Sequence, residues 1–275
     1  RSTIGGAFGS WNQVWTGIVG ATSQFYPPMV ADDTNSNNIA FGTDRVNLDP
    51  SQGTTNWPAK VTVPGGSAQN AISAMHYVNA NLLYAGTRQG SVYRLTRTGT
   101  TWNAAAIHAA PLPTGALVTD ISAVPGSPDT VIVVLSGFGT AANPLAHVWR
   151  GVVPATGPAT WTSISGTGAG ALPDIPVNAL VIEPTAPATM YIASDVAVWR
   201  TASGGTSWTP FSDGLPNVAV FDLALHAPTR LLRAATHGRG MWERKLDVAL
   251  LPNSDIFVRD HLMSTSRILP VPEGV

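Results

Sequence analysis

Apolar residues along this chain come in short alternating bursts and never in long stripes. Val220, Phe221, Leu223 and Leu225, followed by the run Leu231 to Ala235, keep the two-residue period of half-buried strands. Similar alternating starts stand at Ala71 to Met75, Val118 to Val124 and Val177 to Ile182. A second apolar run follows each of them, at Leu82 to Ala85, Val131 to Leu135 and Met190 to Ala193, and Ile39 to Phe41 marks a weaker first unit. Third strands are predicted around Val92-Tyr93-Arg94, Val148-Trp149-Arg150, Val198-Trp199-Arg200 and Met241-Trp242-Glu243. Gly and Pro interrupt the chain too often for an amphipathic helix of about eleven residues or more to survive.

Each unit closes on a tryptophan behind a Gly/Thr/Ser turn, at Trp57, Trp102, Trp161 and Trp208. They recur at roughly 45 to 60 residues, the period of propeller blades or long β repeats. One unit is therefore about four short strands, a small sheet that must stack on neighbours like itself to bury both faces. The N-terminal stretch RSTIGGAFGSW lines up with Arg200 to Trp208, which places a lone fourth strand around Ser10 to Thr16. The last unit, Val220 to Leu246, has three strands and no closing Trp. The expected fold is all-β, a propeller of four-stranded blades over residues 1–246 with five blade units, the last closed by the N-terminal strand. A larger ring of six or seven blades, its upstream part outside this chain, is the rival count. Residues 247–275 lack the pattern, end Pro-rich, and are expected to be a linker or docking tail. Without an initiator methionine, the chain is expected to be a processed or truncated product.

Composition narrows the function classes. Hydrophobic residues make up 44% and charged residues 11%, with 27 Gly and 22 Pro, a loop-rich β composition and not a disordered one. The net charge of −1 offers no electrostatic case for nucleic acid or an anionic membrane surface. There is no cysteine, so disulfides and thiolate metal sites are excluded. The apolar run Val131 to Leu135 is far short of the roughly 20 residues that span a bilayer.

The Gly-turn-Trp segments resemble a known family. Arg200 to Trp208 is similar to the Asp-box, or bacterial neuraminidase repeat, S/T-x-D-x-G-x-T/S-W, and the segments GLPNVAVFDLALHAPTR and ATHGRGMWE resemble last-blade sequences of sialidase-like, sortilin-like and xyloglucanase-type propellers. The box aspartate is replaced, by Ile4 in the first copy and by Ala202 or Ser203 in the fourth. In that family the box is structural and distant from the active site, so the resemblance implies the fold more than an activity.

Several residues could carry chemistry. Asp120 in T-D-I-S and Asp222 in F-D-L-A stand near the start of innermost strands, where Ser73 and Asn178 stand in other units. They could serve as general acid and base of an inverting glycosidase. Alternatively, a short polar residue recurring there ties neighbouring strand starts by bonding backbone N–H groups, and recurrence favours this structural account. Arg45, Arg88 and Arg239 all lie between second and third strands and could form a rim that grips carboxylate or phosphate, or be solvated turn residues. A sialidase-like site would also need a Tyr/Glu nucleophile, for which Glu183, Glu243 and Glu273 offer no persuasive partner. Asp32, Asp33, Asn35, Asn37 and Asn38 could suggest calcium, but a polar hairpin turn accounts for them better. The six histidines, including His76, His226 and His237, show no metal-ligand spacing. The glycines of GTGAGA around Gly166 lack the Lys-Ser/Thr of a phosphate loop. Recurring Tyr93, Trp149, Trp199 and Trp242 read as packing between repeats.

The leading expectation is a non-catalytic propeller for binding or assembly, one module of a larger exported bacterial protein, secreted or on the cell surface. It would bind a protein partner or a glycan and needs no cofactor or metal. A xyloglucanase- or sialidase-like glycoside hydrolase on the same fold is the alternative. A third reading is a structural subunit of a surface filament or complex, assembled through the 247–275 tail.

Overall fold

The computed structural model describes residues 1–2, 4–20, 22–52, 56–246 and 257–258. It contains five four-stranded antiparallel sheets, each with its strands in chain order. The first is β1 (Met29–Asp32), β2 (Asn35–Gly42), β3 (Val46–Asp49) and β4 (Ala59–Val61). The second is β5 (Ile72–Asn79), β6 (Leu82–Thr87), β7 (Val92–Thr98) and β8 (Thr101–Ala106). The third is β9 (Leu117–Val124), β10 (Ser127–Ser136), β11 (Val148–Val152) and β12 (Thr160–Ser163). The fourth is β13 (Val177–Ile182), β14 (Met190–Ser194), β15 (Val198–Thr201) and β16 (Thr209–Pro210). The fifth is β17 (Val220–His226), β18 (Leu231–Thr236), β19 (Met241–Lys245) and β20 (Phe257–Val258). The only helical pieces among the described residues are three-residue 3₁₀ turns, so the fold is all-β in a propeller-like arrangement.

The fourth place in the fifth sheet differs from expectation. β20 pairs with β19 there, Trp242 opposite Val258 and Glu243 opposite Phe257. Ser10 to Thr16 form no strand. The alignment of Arg1–Trp11 with Arg200–Trp208 nevertheless holds in detail. Ser2 Oγ accepts the N–H groups of Ile4 (3.3 Å) and Gly6 (2.9 Å). Thr201 Oγ1 likewise accepts those of Ser203 and Gly205, both at 3.1 Å. Gly5 and Gly6 repeat the left-handed backbone of Gly204 and Gly205, which a side chain would strain.

The chain divides into two compact units, residues 1–133 with 150–162, and residues 134–149 with 163–275. In the first, Val46, Leu48, Val61, Ile72, Leu83, Tyr93 and Leu95 form a dry core from the facing sides of two sheets. In the second, Ala179, Tyr191, Val198, Val220, Leu223 and Leu232 do the same for the fourth and fifth sheets. Each large aliphatic or aromatic side chain so buried contributes about 1.5–3 kcal/mol.

The repeating tryptophan joins one repeat to the one before. Ile107 and Ile164, just past β8 and β12, each donate a backbone N–H to the first residue of their own third strand, Val92 and Val148 (2.9 Å). Their carbonyls then accept the indole N–H of the next repeat, from Trp161 (3.1 Å) and Trp208 (2.8 Å). Trp57 donates in the same way to Val14 (2.6 Å), which gives the N-terminal segment the place of a preceding strand exit. These three rings are at most 3% exposed. Trp102 is the exception, half-buried with its ring edge-on to Tyr77.

Candidate functional site

The starts of β5, β13 and β17 each carry a β-bulge, and its register decides which residues are equivalent. In β5 the pairing with β6 skips Ser73, in β13 the pairing with β14 skips Asn178, and in β17 the pairing with β18 skips Phe221. Ser73 Oγ donates to the Val118 carbonyl (2.6 Å), and Asn178 Nδ2 donates to the Val220 carbonyl (3.0 Å) and to Asp195 Oδ1 (2.9 Å). A polar tie between neighbouring strand starts therefore exists, although it runs to carbonyl oxygens and not to N–H groups.

Asp120 and Asp222 do not occupy that tie position. Asp222 pairs with Ala235 as Ala74 pairs with Gly86 and Ala179 with Ala193, so its structural counterparts are alanines. Val118 accepts the Ser73 tie as Val220 accepts the Asn178 tie, so Thr119 corresponds to Phe221 and Asp120 to Asp222. The two aspartates share a conformation, each accepting the N–H of the next residue, Ile121 at 2.7 Å and Leu223 at 2.8 Å. One-residue slippage in the sequence alignment had made them look like Ser73 and Asn178. The two aspartates thus recur with each other and not with Ser73 and Asn178, each bonding a backbone N–H.

In the second compact unit, the fifth repeat departs from the pattern twice in succession. Phe221, in the bulge, is 53% exposed, and its ring lies 5.2 Å from that of His237. Asp222 keeps a solvent-open surface, yet protein mass packs around it. That burial pushes its carboxyl above the ordinary carboxylate range, against the lowering pull of the Leu223 N–H. His237 is fixed by its own N–H to the Ala219 carbonyl (2.8 Å). Arg239 is two residues on in the same exposed hairpin, its carbonyl accepting the indole N–H of Trp242 (2.9 Å).

The three arginines do not share one turn position. Thr43, Thr87, Ser194 and Thr236 each send an N–H across their turn, to Arg45, Ser91, Ala197 and Gly240. The next residues, Asp44, Arg88, Asp195 and His237, are therefore the equivalent set, and their charges are mixed. Arg45 is paired with Asp44 at 3.2 Å, while Arg88 is exposed.

Two further groups are engaged internally. Asp32 Oδ1 accepts the Thr34 N–H and hydroxyl, and Oδ2 accepts Asn38 Nδ2, which makes this loop the polar hairpin turn expected. Burial raises its pKa, but these bonds outweigh it and hold the carboxyl below the usual range. Glu183 is held by Arg230 at 2.5 Å and Glu243 by Arg233 at 3.2 Å, whereas Glu273 lies outside the described residues. Among the described residues no group of three His, Asp or Glu side chains converges as a metal site.

Sequence reasoning missed the contact between His237 and Phe221, the residue before Asp222. It also missed the bond between buried His147 and Asp174 (2.9 Å), where Gly139 N–H also donates to the carboxylate.

No protein-family model matches the chain, and no curated protein matches it in sequence. Solved structures do. The β-propeller domain of Myceliophteria thermophila Cps50 (Swd1) matches with a TM-score of 0.59 at 12% identity, over 87% of this chain and 71% of that one. The GH74 xyloglucanase of Xanthomonas campestris matches at 0.55 and 16% identity, over 79% of this chain and 36% of the enzyme. A GH74 enzyme of Niastella koreensis matches at 0.55 and 18% identity, over 78% and 35%. This chain spans about a third of the length of those two glycosidases. At these identities the likeness shows the fold, shared by a propeller domain of a different kind and by glycosidases. The xyloglucanase-type part of the expected resemblance is supported, while the sialidase and Asp-box part is not specifically so.

Proposed function

We propose that this chain is part of a glycan-cleaving propeller of the xyloglucanase type, with Asp222 as the proton donor. The carrying observation is the raised carboxyl of Asp222 at a position where two other repeats have alanine. Fold likeness to GH74 enzymes supports the reading. Asp222 would give its proton to the glycosidic oxygen as the bond to the anomeric carbon breaks. A second carboxylate, as base, would take a proton from the water that attacks that carbon from the opposite face. Phe221 would offer its open ring to a sugar face, and Arg239, in the same compact unit, would be a secondary contact. The partner is then an extracellular glycan and the protein an exported one.

The test is reducing-end release from β-glucans by the purified chain. Asp222→Asn is expected to lower kcat by about 10²–10⁴-fold, the usual scale for a lost general acid. In the native chain the rate should fall as pH rises through the elevated pKa of Asp222. No turnover by the wild-type chain would reject the reading. Glycan binding without turnover would instead favour a non-catalytic binding module. The role of the 247–275 tail in assembly falls mostly outside the described residues.

A further inference from the structure

We infer that the loop between β10 and β11 is a pH-gated latch, pinned shut by His147 with a hydrogen on both ring nitrogens and released when the ring loses one of them. In the other four repeats the turn from second to third strand is short. The backbone bonds from Thr43 to Arg45, Thr87 to Ser91, Ser194 to Ala197 and Thr236 to Gly240 enclose one to three residues each. The matching bond of the third repeat, from the Leu135 N–H to the His147 carbonyl (2.9 Å), encloses eleven, residues 136–146. An ordered loop of that length must offset its backbone entropy with contacts of its own. Trp149 gives its indole N–H to the Ala146 carbonyl (2.7 Å), and Thr140 and Asn143 close a small turn on each other. The remaining anchor is Asp174, in the segment that leads into β13. Its carboxylate accepts the Gly139 N–H on both oxygens, at 3.1 and 2.9 Å, and a backbone hydrogen bond from Leu145. Gly139 and Leu145 meet backbone to backbone, since a Cβ on Gly139 would stand 2.3 Å from the Leu145 nitrogen. One carboxylate thus grips both legs of the loop.

His147 holds that carboxylate in place, and its two bonds fix its hydrogens. The ring is 1% exposed. Nδ1 lies 3.0 Å from the Leu135 carbonyl, and Nε2 lies 2.9 Å from Asp174 Oδ1. Both partners are acceptors, whereas a neutral imidazole has one hydrogen to give. Only the doubly protonated ring donates to both, and in either neutral tautomer a lone pair faces an oxygen. Asp174 is the matching anion. Burial pushes its carboxyl up, but the hydrogen bonds from His147, Gly139 and Leu145 prevail and hold it below the usual range. When the ring loses a hydrogen, this charge loses its counter-ion and the anchor weakens. The latch is therefore closed on the acid side of the ring's titration and open on the alkaline side. Residues 136–146 contain no ionisable side chain, β10 ends in the apolar run Val131–Leu135, and the next ionisable residue of β11 is Arg150, whose charge does not change. Asp195, in the turn between β14 and β15, accepts Asn178 Nδ2 at 2.9 Å. Asn178 also donates to Val220, so the starts of β13 and β17 share one end of this unit, and the latch sits there with Phe138, 70% exposed, on its loop.

NMR of the full chain with ¹⁵N-labelled histidine reads the ring nitrogens of His147, and hydrogen exchange corrected for intrinsic rates reads the Gly139 and Leu145 amides. Both are followed upward from about pH 5 until the ring loses a hydrogen. Both nitrogens should carry hydrogen wherever the two amides are protected. Protection should fall about tenfold or more as the ring loses one, the scale of a lost charge-assisted hydrogen bond. In Asp174→Asn the side-chain amide can donate to a neutral ring, so His147 should take a one-hydrogen form and protection should no longer follow its titration. A wild-type ring with one hydrogen while the amides stay protected, or wild-type protection that ignores the change of ring state, would overturn the inference. Neither result depends on how well the variant folds.

Discussion

Asp222 stands where two other repeats carry alanine, and its charge works against the fold. Its folded pKa lies above the unfolded value of about 3.9, so ionisation costs stability at every pH above that value and nothing well below it. Asp222→Asn should therefore raise the melting temperature at neutral pH and leave it unchanged near about pH 3, as thermal melts at the two pH values would show. A residue that weakens the fold it sits in is better explained by a task than by packing. The sequence pointed to Asp120 and Asp222 but assigned them the wrong neighbours. Hydrophobic alternation locates a strand to within a residue or so, and a bulge adds one residue without changing that alternation visibly. Phe221 passed as an ordinary inward-facing position because only the pairing of β17 with β18 shows it to be the extra one.

At the scale of the element, the sheets approach each other where side chains are smallest. Gly86, near the end of β6, lies so close to β9 that a Cβ would stand 2.3 Å from Val118 Cγ1. Gly42 plays the same part against Ile72. Gly86→Ala should destabilise the protein by about 1–3 kcal/mol, the usual cost of overpacking, and Val118→Ala should recover part of that loss in the double variant. Chemical denaturation of the four proteins measures it. First, second and third strands were legible because V-W-R-type triplets and apolar runs recur at one spacing. The fourth strands β4 and β16 were not, since they are three and two residues long, too short to show a period. Register was unreadable because turn length varies while turn composition does not.

For the whole molecule, the repeat was plain in the sequence and its ends were not. Residues 1–11 do carry the geometry of Arg200–Trp208, but Ser10 to Thr16 leave the edge of β19 to Phe257–Val258. Acid should act on several repeats together. Burial raises Asp174, yet the His147, Gly139 and Leu145 hydrogen bonds overcome it and hold the carboxyl below its ordinary range, as similar bonds do for Asp32. Groups depressed in this way stabilise the fold above their unfolded pKa of about 3.9, and that contribution is lost as pH falls through the still lower folded values. Stability from denaturant melts should hold down to about pH 4 and drop below it, with Asp174→Asn flattening that limb. The indole linkage between repeats has a temporal corollary as well. Because the carbonyls of Val14, Ile107 and Ile164 wait for a tryptophan encoded 43 to 54 residues downstream, a ribosome adding roughly 5–20 residues per second leaves each of these exits uncapped for several seconds. Nascent-chain vulnerability should therefore fall as Trp57, Trp161 and Trp208 each emerge.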